Sequence, residues 1–584
     1  MEELIRELIY KALIKAYPAL EFKFEKKDIE VNFLEELKLG DYASNVSFIL
    51  AKKLNEPPIQ IAQNLVSLIN GFYETKYYFQ KIEAVNGFIN FFLSSDFLTK
   101  ELMKILKLGY NYGRRKPLIR KTAVIDYSSP NIAKNFGIGH LRSTVMGNAI
   151  YNLYKFLGWR IIGDNHLGDW GTQFGKLLYQ IKNQLLKNKT LKEAKIILNN
   201  LTIDKLEKLY VEFHKLAEHN PQLEEEARKW FKKLEDKDKE ALRIWKKCVE
   251  VSLKEFNRIY KILNVKFDVN LGESFYEKKM KEVLKELQDK KLVKESEGAL
   301  IIEFSKKIPP AIVLKSDKTS TYFLRDLATV KYRLEKWNPS LIIYEVGADQ
   351  TLYFEQLFEA VRMLNWKRNL NLVHLNHGLM RWPWGKFSTR KGETIHLEEV
   401  LNEINLRALK IIENSETRRG LSLKEKKEIA QKIGVSALKY HILSYHYQSD
   451  IIFDWDKIMD LEGNSGPYLQ YSLARCFNVL NKAKIPKFKK NLPYGLNNEE
   501  IALLRQLAKF KSVLSFGAEK FSINLLGDYA YNLASLYNHF YQKHQILKAE
   551  NEGARVFRLK LTLAVSIVLQ IIFRILSIEI LKKM

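Results

Sequence analysis

Two cysteines in 584 residues, Cys248 and Cys476, are too few and too far apart for a zinc-ligand pair or a disulfide framework. A reducing interior is the simplest setting for such a chain. Acidic residues are also scarce: 68 Asp and Glu stand against 95 Lys and Arg, a formal net charge of +27. That imbalance favours a polyanionic partner, nucleic acid before an acidic membrane. No apolar run reaches the ~20 residues that a membrane span needs. The most apolar, Leu561 to Phe573, meets Arg574 and reads as a buried helix. The opening Met-Glu-Glu-Leu-Ile-Arg carries acids early and has no signal-peptide core. There are no internal repeats or low-complexity segments, and no Ser-His-Asp or Cys-His set, which leaves covalent nucleophilic catalysis without candidates. The length and the 46% hydrophobic content imply several domains, each with a core.

Within that frame, Val124 to Phe156 has the strongest local logic. Thr122 to Tyr127 is apolar and partly β-branched, as a buried strand should be. Pro130, Gly137 and Gly139 forbid a regular element and let backbone approach a ligand. From His140, Leu141, Val145, Ala149 and Leu153 fall at helical spacing. Strand, glycine loop, helix places unpaired N–H groups where a phosphate could sit, and His140 can donate to it. Spacing alone fits an ordinary strand-to-helix turn equally well. From Lys116 to about Leu401 strands and helices alternate, which predicts a doubly wound parallel sheet. Gly163-Asp164-Asn165-His166 and Gly347-Ala348-Asp349-Gln350 fall at carboxyl ends of strands, where such sheets bind ligands. Gln180 to Lys261 reads as a charged helical insertion, followed by a strand pair at Ala299–Phe304 and Ala311–Leu314. Before the sheet, helices are expected at Glu2–Ala16 and Ala51–Ile69, with turns at Gly40–Asn45 and Asn86–Phe91. After it, residues 461 to 584 hold 18 Lys and Arg against 8 Asp and Glu, with interleaved aromatics such as Tyr468, Tyr471, Tyr537 and Tyr541. Basic side chains beside aromatic faces suit an unstacked RNA loop, although each ring taken singly is as readily core.

Three segments carry a resemblance. Ser129-Pro130-Asn131-Ile132-Ala133-Lys134, Gly139-His140-Leu141-Arg142-Ser143-Thr144 and Gly168-Asp169-Trp170-Gly171-Thr172-Gln173-Phe174-Gly175 resemble the catalytic domain of arginyl-tRNA synthetases, a class I family. Thr321 to Ala328 is similar to that family's Tyr…Arg-Asp motif, and Glu462 to Arg475 to the start of its anticodon-binding bundle. Lys386-Phe387-Ser388-Thr389-Arg390-Lys391-Gly392 resembles a degenerate class I Lys-Met-Ser-Lys-Ser loop. Gly137 stands in place of the first histidine of the His-Ile-Gly-His motif.

The resemblance implies an α/β Rossmann-type nucleotide-binding catalytic domain (113–401) with a helical insertion near 180–297. A small α+β N-terminal domain (1–112) that touches the tRNA elbow would precede it. A helical connection (402–455) and an all-α anticodon-binding bundle (456–584) would follow. It implies arginine activation by ATP and transfer to the 3′ end of tRNA(Arg). Arginine would be held by Asp126, Ser129, Asn131, His140, Tyr322, Asp326 and Gln350. ATP would lie on Gly137, Gly139, His140, Lys386 and Ser388. Lys386 and Arg390 would close on the pyrophosphate, with Lys134 supplying the charge that Thr389 lacks. Tyr42, Asn45, Phe88, Tyr468, Tyr471, Arg475 and Tyr537 would touch tRNA. Magnesium would accompany ATP, no structural metal is expected, and a cytoplasmic monomer away from membranes is implied. Gly137 and Thr389 keep open a second reading, an RNA-binding chain that has lost catalysis.

Overall fold

A computed structural model describes residues 1–18, 24–34, 37–115, 121–304, 308–382, 385–386, 396–414, 420–483 and 495–582. They divide into two compact units. One comprises 1–114, 460–574 and 579–584, the other 115–459 and 575–578.

In the first unit, strands β1 (Asn32–Phe33), β2 (Tyr42–Ser44), β3 (Phe79–Val85) and β4 (Phe88–Leu93) form an antiparallel sheet in the order β1-β2-β4-β3. Asn86 and Gly87, both at positive φ, make the tight β3–β4 hairpin, the backbone geometry Asn-Gly favours. The single helix expected over 51–69 is two helices, Val46–Leu54 and Pro58–Asn70. Asn55 is left-handed at the end of the first, and Pro57-Pro58 cannot continue it but suit the start of the second. The buried Asp41 accepts from the Leu93 N–H at 2.8 Å, and its other oxygen lies 3.3 Å from Arg505 Nε. The helices Gly466–Lys482, Asn498–Glu519, Asn524–Lys543 and Glu552–Leu576 form the all-α part. The last is long and apolar enough to cross a membrane, but 89% of its most apolar window is buried in the fold. Its polar partner set is internal, as in the Arg558–Glu500 pair at 2.9 Å.

The second unit holds the parallel sheet. β5 (Thr122–Asp126) and β6 (Arg160–Asp164) are joined by the helix Ile138–Phe156, here the His140 helix. An antiparallel sheet of β7 (Lys294–Ser296), β8 (Ala299–Ile302) and β9 (Ala311–Leu314) closes the inserted segment, adding one strand to the expected pair. β10 (Leu341–Gly347) and β11 (Asn371–His377) complete the order β11-β10-β5-β6. All three pairings are parallel. The chain leaves β5 toward β6 and returns at β10 on the other side. The crevice between β5 and β10 is therefore the switch point where doubly wound sheets take ligands. Val124, Ile162, Ile342 and Tyr344 bury one sheet face against the helices Tyr322–Trp337 (the Asp326 helix), Thr351–Leu364 and Glu277–Asp289. Between β6 and β7 six α-helices run from Thr172 to Asp289, the expected insertion.

β12 (Met380–Trp382) pairs with β13 (Gly385–Lys386) and, in parallel, with β14 (Ile451–Ile452). Arg142, on the His140 helix, anchors this corner. Its guanidinium donates to the carbonyls of Gly378 (2.7 Å), Leu379 (3.3 Å), Tyr447 (2.9 Å) and Ser449 (2.7 Å). Burial holds its pKa down to about 10, so it stays charged at neutrality. Both cysteines are free and buried, and burial pushes both thiols up to about 12.

Arg142→Ala strands these carbonyls without a donor and is expected to cost on the order of 3 kcal/mol, read as a lower urea midpoint. Arg142→Lys should recover part of it, since one ammonium cannot fork to four acceptors. An unchanged midpoint in Arg142→Ala would refute this anchoring role.

Candidate active site

The β5–β10 crevice opens into a cavity of about 830 Å³. Asp126, Ser129, Asn131, Gly139, His140, Tyr322, Asp326 and Gln350 all line it, so the structure brings together every residue assigned to the arginine site. Gly137 does not line it, nor does Lys134. Ser388 and Arg390 lie outside the described residues, and so does the side chain of Lys386.

The loop after β5 is strained, though not at its glycines. Ser128 (φ 71°), Ser129 (φ 43°) and Ala133 (φ 66°) occupy the left-handed region, where side chains are disfavoured. Neighbours hold them there. The Ser128 N–H donates to Ser143 Oγ (3.0 Å), the Ser129 N–H to Asn165 Oδ1 (3.2 Å) and the Ala133 N–H to Ser252 Oγ (2.9 Å). Gly139 instead has open space where a Cβ would stand, and Gly168 is filled by Asn131, whose Oδ1 would lie 2.2 Å from a Cβ there. Gly137 is the residue before the helix, and its N–H donates to His140 Nδ1 at 3.3 Å. That bond fixes the proton of the neutral imidazole on Nε2. Burial, aided by the Lys134 ammonium, pushes the His140 pKa down to about 4, so the ring is a neutral donor at physiological pH. Lys134 itself stacks over Tyr210, 5.0 Å from the ring centre.

Arg333, unmarked by any motif, is fully buried beneath the cavity. Its Nη2 donates to Asp126 (2.5 Å) and Asp164 (2.7 Å), tying the ends of β5 and β6 to the Asp326 helix. Asp126 also accepts from Ser129 Oγ at 2.7 Å. Further along the same helix, Asp326 accepts from the Tyr353 hydroxyl and lies 3.8 Å from His166 Nε2. Burial raises its pKa, while His166 and that hydroxyl pull it back. Tyr322, one turn earlier, presents a half-exposed ring at the mouth. Glu273, also missed by sequence reasoning, pairs with Arg325 at 3.2 Å. Burial outweighs that pairing and pushes its pKa up to about 7. Its only sequence signal was Gly272, where a Cβ would collide with Asp169.

The charge balance decides what the cavity accepts. Five carboxylates line it, Asp126, Glu273, Asp326, Glu345 and Asp349, and no lysine or arginine does among the described residues. Arginines beneath the wall pair with Asp126 and Glu273 only. A surplus of buried acid calls for a cation, and a flat tyrosine beside it suits a planar one. Among the described residues no group of three or more His, Cys, Asp or Glu could hold a metal ion.

Two expected RNA contacts are corrected by burial. Tyr42 and Tyr537 are fully enclosed. Tyr42 lies within hydrogen-bond reach of Ser512 Oγ, and Tyr537 packs against Phe540, so neither ring can meet a base. Phe88 is exposed and rests on Phe48, and Asn45 Nδ2 donates to Glu30. Tyr468 is half-buried against Tyr531. The Arg475 guanidinium is sandwiched 4.8 Å from both Tyr471 and Tyr541, each partly exposed.

The chain matches three family descriptions. They are "tRNA synthetases class I (R), catalytic domain" over 101–455, "DALR anticodon binding domain" over 469–584 and "Arginyl tRNA synthetase N terminal domain" over 3–93. It is 37% identical to the arginine–tRNA ligase of Clostridium perfringens, covering 96% of this chain and 98% of that one. It is 38% identical to that of Clostridium botulinum, covering 98% of each. Among solved structures, the arginyl-tRNA synthetase of Plasmodium falciparum superposes with a TM-score of 0.82 at 26% identity, over 99% of this chain and 98% of that one. The Thermus thermophilus enzyme shares the fold at the same TM-score and 22% identity, over the whole of both chains.

Glu273 on the cavity wall makes a pH dependence of cation binding testable. Below about 7 it is largely protonated and lends no charge; above, it is ionised. Affinity for arginine, measured calorimetrically, should rise by up to about tenfold from pH 6 to 8. Glu273→Gln should bind more weakly with a flat profile, and a flat wild-type profile would contradict this coupling.

Proposed function

Because the chain belongs to the arginyl-tRNA synthetases and joins arginine to tRNA at the expense of ATP, we propose a division of labour within its cavity. The acid-walled end grips the guanidinium, and the end beside the His140 helix takes the nucleotide. The observation that supports this is Asp326 on the cavity wall, paired with no lysine or arginine among the described residues and one helical turn from Tyr322. Asp326 receives the guanidinium, Tyr322 covers its face and Gln350 sits at its rim. Asp126, Ser129 and Asn131 take the ammonium and His140 the carboxylate side, where the neutral Nε2–H also meets the α-phosphate.

The arginine carboxylate then attacks the α-phosphorus of ATP, and pyrophosphate leaves. A terminal ribose hydroxyl of tRNA attacks the adenylate carbonyl in turn, releasing AMP. The protein positions the reactants and stabilises charge. Gly139 lets the nucleotide approach the helix, while Gly137 sets the His140 tautomer from outside the cavity. ATP enters as its magnesium complex. The wall beside it has no cation among the described residues. We therefore assign pyrophosphate contact to Lys386, Ser388 and Arg390. Lys134, close enough to lower the pKa of His140, supplies further positive charge on leaving its stack. In the other unit, Phe88 and Asn45 contact the tRNA elbow, and Tyr468, Tyr471 and Arg475 the anticodon loop. The enzyme works as a cytoplasmic monomer without membrane contact; the one span-length apolar helix among the described residues is largely buried in the fold.

ATP–pyrophosphate exchange should require arginine, with tRNA present, and should fail with lysine or cysteine. Exchange with either of those instead would refute the arginine assignment. Asp326→Asn should raise the KM for arginine about a hundredfold while leaving that for ATP within about twofold. Unchanged arginine kinetics would remove Asp326 from the site. Lys134→Ala should slow activation more than it weakens tRNA binding; the reverse would make Lys134 an RNA contact.

A further inference from the structure

Glu345 is buried in the cavity wall on β10, with no exposed side-chain surface and no hydrogen-bond partner for either carboxylate oxygen. Leaving an acid so enclosed is costly, so its retention asks for a counterpart. The other wall acids that are not at the rim each have one: Asp126 has Arg333, Glu273 has Arg325 and Asp326 has the Tyr353 hydroxyl. Glu345 has His377, the last residue of β11, whose Nδ1 stands 2.9 Å from its Oε1. The ring needs only to turn in place for an Nδ1–H to point at that oxygen. Parallel pairing sets the two side by side, Glu345 opposite Leu375 and Gly347 opposite His377. Both line the cavity on the side of the His140 helix. Ser143 of that helix donates to the Glu345 carbonyl at 3.0 Å, and Arg142 holds the carbonyl of Gly378, next to His377.

We propose that Glu345 and His377 read the base of the nucleotide. The carboxylate accepts a hydrogen bond from the Nδ1–H of His377, which holds the proton on that nitrogen and leaves Nε2 as an acceptor for the exocyclic amine of adenine. Nε2 lies beside Gly347, 3.8 Å from where a Cβ would stand, so no side chain at that residue intervenes. A ribose hydroxyl is better met by Asp349, an exposed carboxylate on the same rim. A purine with a keto oxygen at the amine position sets acceptor against acceptor, which turns the pair into a filter against inosine and guanine nucleotides. The inference rests on the placement of the nucleotide beside the His140 helix.

The test is aminoacylation by the full chain with ATP, ITP and 2′-deoxy-ATP, for wild type and for Glu345→Gln, His377→Phe, His377→Gln and His140→Asn, each first checked by thermal melting. The preference for ATP over ITP in kcat/KM should fall about tenfold in Glu345→Gln and His377→Phe. The loss should lie in the nucleotide KM, with the KM for arginine and the ATP to 2′-deoxy-ATP ratio unmoved. His377→Gln keeps an acceptor and should retain part of the preference. An ATP to ITP preference unchanged in Glu345→Gln and His377→Phe overturns the proposal, as does a loss that follows the 2′-deoxy ratio. Either variant alone decides if the other does not fold. His140→Asn separates the two readings. If it alters neither kcat nor the nucleotide KM, the placement of the nucleotide falls. If it impairs nucleotide use while the His377 and Glu345 variants keep the preference, only base reading falls.

Discussion

One buried guanidinium sets the geometry on which the cavity depends. Arg333 reaches Asp126 and Asp164 from the Asp326 helix, under the ring of Tyr344 at 5.3 Å. Its two carboxylates end adjacent parallel strands, β5 and β6, so the bridge fixes that helix against the edge where the crevice opens. Asp326 lies seven residues before Arg333, two turns away on the same face. Anchoring Arg333 therefore also sets the direction in which Asp326 points. A buried triad of this kind is a weak source of net stability, because desolvation offsets the attraction, but it tolerates few alternative arrangements. Breaking it would leave two acids facing each other in the core.

The cavity above that bridge is one-sided in charge. Its described walls carry acid, and the arginines near it, Arg333 and Arg325, lie behind the wall, where they pair with Asp126 and Glu273. Such a wall suits a cation better than a triphosphate. Positive charge for the phosphates must come from elsewhere, and the sequence offers it in Lys386, Arg390 and Lys391. In the proposed division of labour, the two charge requirements fall on different elements: the wall selects the amino acid and other groups attend to the nucleotide.

Much of this is legible in the sequence. The apolar run Thr122–Tyr127, the loop and the helical spacing from His140 correctly gave a strand, a turn and a helix, because burial of a parallel strand leaves a continuous apolar signature. The ligand-side loops that carry His166 and Gln350, just past the ends of β6 and β10, followed from the same alternation. Tyr322 and Asp326 were visible only through family resemblance, since a tyrosine and an aspartate four apart are otherwise ordinary. Arg333, Glu273 and Glu345 were not legible. Each acts through a partner distant in sequence, Arg333 with Asp126 and Asp164, Glu273 with Arg325, and Glu345 with His377. No local pattern records such pairings. Positive φ at Ser128, Ser129 and Ala133 was equally hidden, because the glycines nearby looked like the natural place for it. Tyr42 and Tyr537 misled for a related reason: an aromatic among basic residues looks the same in sequence whether it faces RNA or fills a core.

The position of the guanidinium decides the mechanism. A crystal structure of the chain with L-arginine and a non-hydrolysable ATP analogue measures that directly. The guanidinium is predicted within hydrogen-bond distance of the Asp326 carboxylate, under the ring of Tyr322, with the α-phosphate beside His140 Nε2. A guanidinium seated away from Asp326, or a nucleotide occupying the acid-walled end, would contradict it.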